Sequence, residues 1–443
     1  MMIDTGRLED ILPEVQKPAR YTGGELGEIQ KKITKETLRF AFCFPDVYEV
    51  GMSHMGTSIL YHLLNGMKDV YAERCFCPWP DMERALAKAG MPLFSLETKT
   101  PLSDFDIVGF SLSYEMCYTN ALTMLSLGGI PLRAKDRGEG GPLVIAGGGC
   151  AYNPEPLADF TDLFVIGEAE ESLPELMELY KECKAEGLSR EGFLKRAVGI
   201  QGIYIPSLYD IEYNDDGTVK SINARDGAPE SVMKRIATDF DSSFFPEFPI
   251  VPYIGVVHDR VTLEIMRGCT RGCRFCQAGF IYRPVRERNA ERLLSQAGNS
   301  ILNTGHEEVS LCSLSTGDYS QVAKLVCELT DKFKGSGVSV AVPSLRIDSY
   351  EGEYAQRLKQ VRNTGLTFAP EAGTQRLRDI INKNITDEDI YSAVKEAFEG
   401  GANGVKLYFM VGLPGEKEED VKGIAEIAQR IRDIYYSVPK EKR

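Results

Sequence analysis

Apolar residues fall into two stretches of alternating strand and helix patterns, separated by a region that breaks the alternation. Leu38 to Phe44 is apolar except for Arg39, as expected of a strand buried on both faces. A helical stretch follows around Thr57 to Leu64, then a strand over Val70 to Cys75 and a helix near Met82 to Lys88. Ile107 to Leu112, Leu143 to Ala146 and Leu163 to Ile166 read as further buried strands, and Glu171 to Lys184 carries apolar residues at helical spacing. Strands alternating with helices predict a doubly wound parallel sheet of Rossmann-like type.

Between about 187 and 258 the pattern changes. Tyr204 to Tyr213, the turn Asn214-Asp215-Asp216-Gly217 and Thr218 to Ile222 read as a β-hairpin, and Phe244 to Pro252 is proline-rich and extended. The alternation resumes at Val261, with strands expected at 261–266, 308–312, 338–342, 366–368 and 404–411 and a last helix from about Glu418 to Tyr435. One helix after each parallel strand suggests a partial (β/α) barrel of TIM type. The α/β chain thus divides into a lead-in segment 1–36, a doubly wound domain 37–186, a bridge 187–258 and a barrel domain 259–443.

At 443 residues more than one domain is expected. No uncharged apolar run is long enough to cross a bilayer, and Met1 to Gly6 lacks the features of a secretion signal, so the expectation is a cytoplasmic protein without a membrane partner. The formal charge of −14 argues against a chain that coats nucleic acid. It leaves room for a local basic stretch formed by Arg267, Arg271, Arg274, Arg283, Arg286 and Arg288, read as offsetting negative charge on nearby thiolates and a bound carboxylate.

Eleven cysteines without a secretion signal do not suggest a disulfide framework. Eight are scattered, whereas Cys269, Cys273 and Cys276 form a C-x3-C-x2-C motif directly after an expected strand. Three thiolates on one tight loop can each take an iron of a [4Fe-4S] cube and leave the fourth iron open. Gly268 and Gly272 let the loop wrap closely. Structural zinc is the competing reading, but it normally takes four protein ligands in two spaced pairs, and no partner pair is present. Inert packing of the three thiols is the other alternative.

The run from Arg267 to Gly279 strongly resembles the radical SAM superfamily, and the family of B12-binding (cobalamin-dependent) radical SAM proteins in particular. The resemblance implies that Cys269, Cys273 and Cys276 hold a [4Fe-4S] cluster whose open iron binds S-adenosyl-L-methionine. Reduction by a donor such as flavodoxin or ferredoxin then releases a 5′-deoxyadenosyl radical. It further implies SAM contacts at Phe275, beside adenine; at Ser315, Thr316 and Gly317, in a loose match lacking the usual Gly-Gly-Glu; at Ser344 and Arg346; at Glu371, near the ribose; and at Gly412, by its backbone. Any of these alone could be a strand-end turn. Their order at the C-terminal ends of successive strands supports the set. No residue is assigned to acid–base or nucleophilic catalysis, and the substrate is not readable.

In the first domain the same resemblance implies cobalamin contacts at Asp46, Tyr48, Gly51, Ser111, Ser113, Gly147, Gly148 and Gly149. Many cobalamin proteins carry D-x-H-x-x-G where this chain has Tyr48, so the lower face of the cobalt is expected to be unligated or water-bound. His54 reads as a helix-start residue with the wrong spacing for a ligand. A domain of this fold that has lost its ligand is the alternative. The implied reaction is cobalamin-dependent, possibly methyl transfer; methylthiolation, with a second cluster at Cys43, Cys117 and Cys150, and a non-catalytic cluster-binding scaffold stay open. Relatives continue into a sixth barrel strand where this chain ends in Ser437 to Arg443, which suggests a fragment or truncated product needing a completing partner.

Overall fold

The computed structural model describes residues 2–343, 366–399 and 401–439. It contains two compact units, Met1–Asp239 with Ser243–Asp259, and Phe240–Ser242 with Arg260–Arg443.

The first unit is built on a six-stranded sheet in the order β2-β1-β3-β4-β5-β6. Its strands are β1 (Leu38–Phe44), β2 (Val70–Phe76), β3 (Ile107–Ser111), β4 (Leu143–Gly147), β5 (Leu163–Val165) and β6 (Ile203–Tyr204). The first five are mutually parallel and β6 adds antiparallel. The expected doubly wound sheet is therefore present. Helices Met55–Gly66, Pro80–Ala89, Tyr118–Leu127 and Ala169–Ala185 connect or follow the strands.

The lead-in and bridge regions pack into this unit. Ile3, Leu8, Val15 and Tyr21 join its main core together with Ile203, Tyr204, Ile205 and Leu208. Apolar residues so sparsely spaced form no helical or strand period, so the sequence pattern does not show this packing. The hairpin of β7 (Tyr209–Tyr213) and β8 (Val219–Ala224) follows β6 in the chain and forms an antiparallel pair of its own.

Edge strand β2 is buried along its whole length although it carries Glu73 and Arg74. Leu96 N donates to Arg74 O (2.8 Å), and Lys31 Nζ donates to Val70 O (2.6 Å). The lead-in and the 93–101 loop thus cover an edge that would otherwise expose backbone groups. Arg74 meets Glu25 at 2.8 Å, Glu28 at 2.9 Å and Glu97 at 2.7 Å, satisfying a guanidinium that could not be buried unpaired.

The second unit has β9 (Val261–Glu264), β10 (Met266–Arg267), β11 (Arg286–Glu287), β12 (Glu308–Cys312), β13 (Ser339–Ala341), β14 (Leu366–Glu371) and β15 (Val405–Phe409). β13-β12-β9 form a parallel sheet and β14-β15 a parallel pair. Helices Ala290–Thr304 and Val322–Lys332 bury Leu293, Ala297, Leu325, Val326 and Leu329 against this unit's core. Asp387–Glu399 and Glu418–Ser437 do the same beside β14 and β15. Every expected barrel strand is present, at slightly different bounds. The first is split at Ile265 because β10 turns to pair antiparallel with β11.

Candidate functional site: a cysteine loop and a strand-end crevice

The cysteine loop leaves β10 at Gly268 and returns at β11, where Arg267 pairs with Arg286. Gly268 has φ +89, and a Cβ there would lie 2.6 Å from Tyr282 O and 2.7 Å from Pro284 O. Only glycine allows the entering and leaving backbones to pass so closely. Within the loop, Cys276 N donates to Cys273 O (3.1 Å), and Gly279 N donates to Cys276 Sγ (3.3 Å). A backbone N–H aimed at a ligand atom helps to orient it.

Cys269, Cys273 and Cys276 are all half-buried, whereas the six cysteines of the first unit are buried. Partial exposure on a strand-end loop suits ligands for a cluster that must meet a diffusing molecule. Among the described residues no group of three His, Cys, Asp or Glu side chains is gathered around one ion-sized point, the triad included. A cube does not require such convergence, because each thiolate takes a different iron.

The basic stretch is spent largely within the protein. Arg267 forms a fork with Glu264 (2.9 Å to each oxygen), and Arg271 pairs with Asp318. Arg288 is buried, donates to Asp241 O (3.0 Å) and lies 4.5 Å from the Phe240 ring centroid, a ring also approached by Arg267 and Arg286. Arg274 donates to Ile380 O, and Arg283 lies over Phe280. Charge compensation for a cluster is thus not the main task of these arginines. Carboxylates and an aromatic face that are distant in sequence take up the guanidinium groups.

Among the described residues, the others expected at the SAM site lie on the cysteine loop or at and just past the ends of β12, β14 and β15. Phe275 is 37% exposed. Ser315 and Thr316 are buried and tied down, Ser315 Oγ to Asp318 Oδ2 (2.7 Å) and Thr316 Oγ1 to Pro343 O (2.8 Å), and Gly317 follows them in the turn Thr316–Asp318. Their side chains hold the turn after β12, so any contact with a ligand there would fall to backbone groups. Glu371 ends β14 with φ +69 and pairs with Lys383 at 3.1 Å. Gly412 has φ +90, and its N–H donates to Glu416 Oε2 (2.7 Å). Ser344 and Arg346 lie outside the described residues.

In the first unit the strand order reverses between β1 and β3, which places the ligand crevice of such a sheet outside their C-terminal ends. Asp46 lies just past β1, where its carboxylate accepts from Val47 N (2.7 Å) and from the Tyr114 hydroxyl of the β3 loop. Ser111 ends β3 half-buried, and Ser113 and Gly148 are exposed. Gly147 ends β4, and Gly149 begins the short turn after it. Gly148 has φ +101, and a Cβ would sit 2.6 Å from Leu112 O. This open, side-chain-free ledge fits a flat group sliding over the strand ends.

Two residues are turned away from that ledge. Tyr48 is buried, donates to Glu25 Oε1 (2.8 Å) and packs edge-on against Phe76. A Cβ-sized addition at Gly51 would meet the same Phe76 ring at 2.2 Å. Both serve the core here. His54 caps helix Met55–Gly66 by accepting from Thr57 N (3.1 Å) at Nδ1, and its Nε2 lies 3.4 Å from Ser113 Oγ. Burial pushes its pKa down to about 4, so the ring is neutral at pH 7. Since Nδ1 accepts from a backbone N–H, the hydrogen sits on Nε2, and the nitrogen facing the crevice has no lone pair for a metal. The sequence reading of His54 as a helix-start residue agrees with this position.

Cys43 and Cys75 face each other across β1 and β2, and burial raises the thiols of Cys117 and Cys150. These are the properties of packed thiols rather than of ready cluster ligands. Sequence reasoning passed over Asn382, Lys383 and Tyr114, which reach the sites from other elements. The only local hint was the asparagine pair around Lys383, since asparagine tolerates left-handed backbone.

Residues 56–206 match the family model for the N-terminal region of radical SAM proteins, and residues 263–428 match that of the radical SAM superfamily. The chain belongs to the radical SAM superfamily. Among curated relatives, the uncharacterized protein MJ0966 of Methanocaldococcus jannaschii is 29% identical over 395 residues, covering 88% of this chain and 73% of its own length. The uncharacterized methyltransferase PH0819 of Pyrococcus horikoshii is 22% identical over 342 residues, covering 75% of this chain and 66% of that protein. Two solved structures share the fold at a TM-score of 0.57. One is the cobalamin-dependent S-adenosylmethionine radical enzyme OxsB with aqua-cobalamin bound (14% identity, 95% of this chain, 57% of that one). The other is the radical S-adenosylmethionine methyltransferase TsrM of Kitasatospora setae with cobalamin and a [4Fe-4S] cluster bound (12% identity, 89% of this chain, 70% of that one). The chain thus spans little more than half the length of OxsB.

Proposed function

We propose that this protein reductively cleaves S-adenosylmethionine at a [4Fe-4S] cluster held by Cys269, Cys273 and Cys276, and that it uses cobalamin bound at the strand ends of the first unit to transfer a methyl group. The observation that carries the first part is the half-buried thiol triad on the strand-end loop of a radical SAM domain. The Gly148 ledge and the crevice between β1 and β3 support the second part, together with the fold shared with OxsB and TsrM and the methyltransferase name of one relative. When bound, the cluster with SAM supplies a carbon-centred radical and cobalamin supplies a methyl carrier.

The chain's own residues bind and orient. The three thiolates hold iron, Gly268 and Gly272 shape their loop, and the Gly279 N–H helps to orient the Cys276 sulfur. Phe275 offers a ring to adenine, and Gly412 offers backbone where β15 ends. In the first unit Gly147, Gly148 and Gly149 leave room for a flat cofactor tail, with Ser111, Ser113 and Asp46 as its polar rim. With its hydrogen on Nε2, His54 offers no imidazole lone pair to cobalt from beside that rim. Electron delivery by a flavodoxin- or ferredoxin-like protein completes the scheme.

The test is anaerobic reconstitution with iron and sulfide, followed by SAM and dithionite. The expected results are about four irons per chain and release of 5′-deoxyadenosine. A loaded protein that yields none would overturn the radical reading. Cobalamin that fails to bind, judged by visible absorption, would overturn the methyl-carrier reading. About eight irons per chain would point instead to a second cluster of the methylthiotransferase kind.

A further inference from the structure

The cysteine loop is held at several points by the short segment that follows helix Gln375–Ile380. Arg274 N donates to Ile381 O (3.0 Å), and Arg274 Nη1 donates to Ile380 O. Asn382 Nδ2 donates to Gly272 O (2.9 Å), the carbonyl immediately before Cys273. Gly272 itself has φ +71, so the peptide that Asn382 grips is the one whose conformation decides how the three thiols are presented. Asn382 is also left-handed, with φ +55. A non-glycine residue in that region is uncommon and tends to persist where surrounding contacts demand it.

Lys383 comes next. Its ammonium pairs with Glu371 Oε1 at 3.1 Å and lies 5.8 Å from the ring centroid of Phe275, the residue before Cys276. The pair is nearly buried, with side chains 11% and 14% exposed. Glu371 is left-handed too, at φ +69. Two residues in a disfavoured backbone region, from separate elements, are therefore tied to one loop, Asn382 directly and Glu371 through Lys383. A lysine held by a partner inside low-dielectric surroundings is a fixed positive charge rather than a roaming one.

We infer that Asn382 and Lys383 are positioning residues for the cluster: Asn382 sets the geometry of the thiol loop through the Gly272 carbonyl, and Lys383 sets a fixed positive charge beside it. Neither is required to touch SAM or iron. This inference rests on the reading of the three cysteines as cluster ligands.

The experiment has two arms, both on the full chain. In the apo-protein, the rate at which iodoacetamide alkylates Cys269, Cys273 and Cys276 reports the loop itself, before any cluster is present. It is followed for each cysteine by peptide mass spectrometry, because Cys312 and Cys327 are half-buried too. N382G keeps the left-handed backbone without steric strain and removes the side chain with its carboxamide, while N382A keeps the Cβ. It is expected to speed alkylation about fivefold, the factor that follows from losing one ordinary hydrogen bond. Wild-type alkylation rates in both N382G and N382A would overturn the part assigned to Asn382. In the reconstituted protein, K383M is expected to shift the cluster's midpoint potential to more negative values and to alter the electron paramagnetic resonance spectrum recorded with SAM. K383R, which keeps the charge, is expected to restore both. Equal potentials in wild type, K383M and K383R would overturn the part assigned to Lys383. A wild-type chain that takes up no cluster would instead defeat the underlying reading, while the alkylation arm would still report on the brace.

Discussion

Gly268 and Gly148 occupy equivalent situations in the two units: each has a positive φ, and at each a Cβ would press 2.6 Å from a backbone oxygen. At Gly268 the penalty falls on the thiol loop. Gly268→Ala adds the left-handed cost of about 1–2 kcal/mol to a clash that only backbone movement can relieve. The expected outcome is a folded chain, with a near-normal circular dichroism spectrum, that retains several-fold less iron after gel filtration; full iron retention would refute this role. His54 poses a different question at the same scale. Asn caps helices as well as any residue, so His54→Asn should change stability by less than about 0.5 kcal/mol. It should also leave the visible spectrum of bound cobalamin unchanged, because the imidazole offers no lone pair to the metal. A spectral shift in that variant would show that His54 is a ligand after all.

At the scale of elements, strand β2 is the instructive case. It sits at the sheet edge yet is buried because Arg74 draws Glu25, Glu28 and Glu97 around it. One cation cannot satisfy three carboxylates equally. Burial raises the Glu25 carboxyl, but the Arg74 charge and its hydrogen bonds prevail and hold it down to about 2. Glu97 is pushed up to about 7, burial again being the largest cause and here the winning one. A carboxyl whose folded pKa lies above its unfolded value of 4.5 keeps a proton in the folded chain that the unfolded chain gives up. Its contribution to stability is therefore fully present below about 4.5 and is lost as the pH rises through about 7. Glu25 is ionised in both states across that window and does not cancel the effect. The Glu97 component is a stability loss on the order of 1 kcal/mol or more between pH 5 and pH 8. In wild type it is opposed by His54, whose lowered pKa adds stability as the pH rises through that range, so it is read as the difference in thermal unfolding between wild type and Glu97→Gln. In Glu97→Gln that component of the slope should vanish; an identical slope in both proteins would contradict the assignment.

For the whole molecule, the two proposed cofactors use separate sets of residues, one in each compact unit. A chain with Cys269, Cys273 and Cys276 all replaced by serine should lose its iron and still take up cobalamin to wild-type stoichiometry, measured by visible absorption. Loss of cobalamin uptake in that variant would show that the sites depend on one another. Much of the fold was legible beforehand for a simple reason. Strands such as Leu38–Phe44 and Ile107–Ser111 are buried on both faces, so nearly their whole length, Arg39 and Ser111 apart, is apolar and marks itself. The lead-in was not legible, since Ile3, Leu8, Val15 and Tyr21 find their partners only once the sheet exists. The same division runs through the sites. Sequence by itself determined the thiol triad, the glycines and their order along the strands, because ligand spacing on one loop and backbone freedom at one residue are local properties. Tertiary structure alone decided that Tyr48 turns into the core toward Glu25, that the arginines around the triad are drawn to Glu264, Asp318 and Phe240, and that Asn382 and Lys383 reach the cysteine loop. Those outcomes depend on which distant groups compete for each side chain, and burial sets that competition only after the chain has folded.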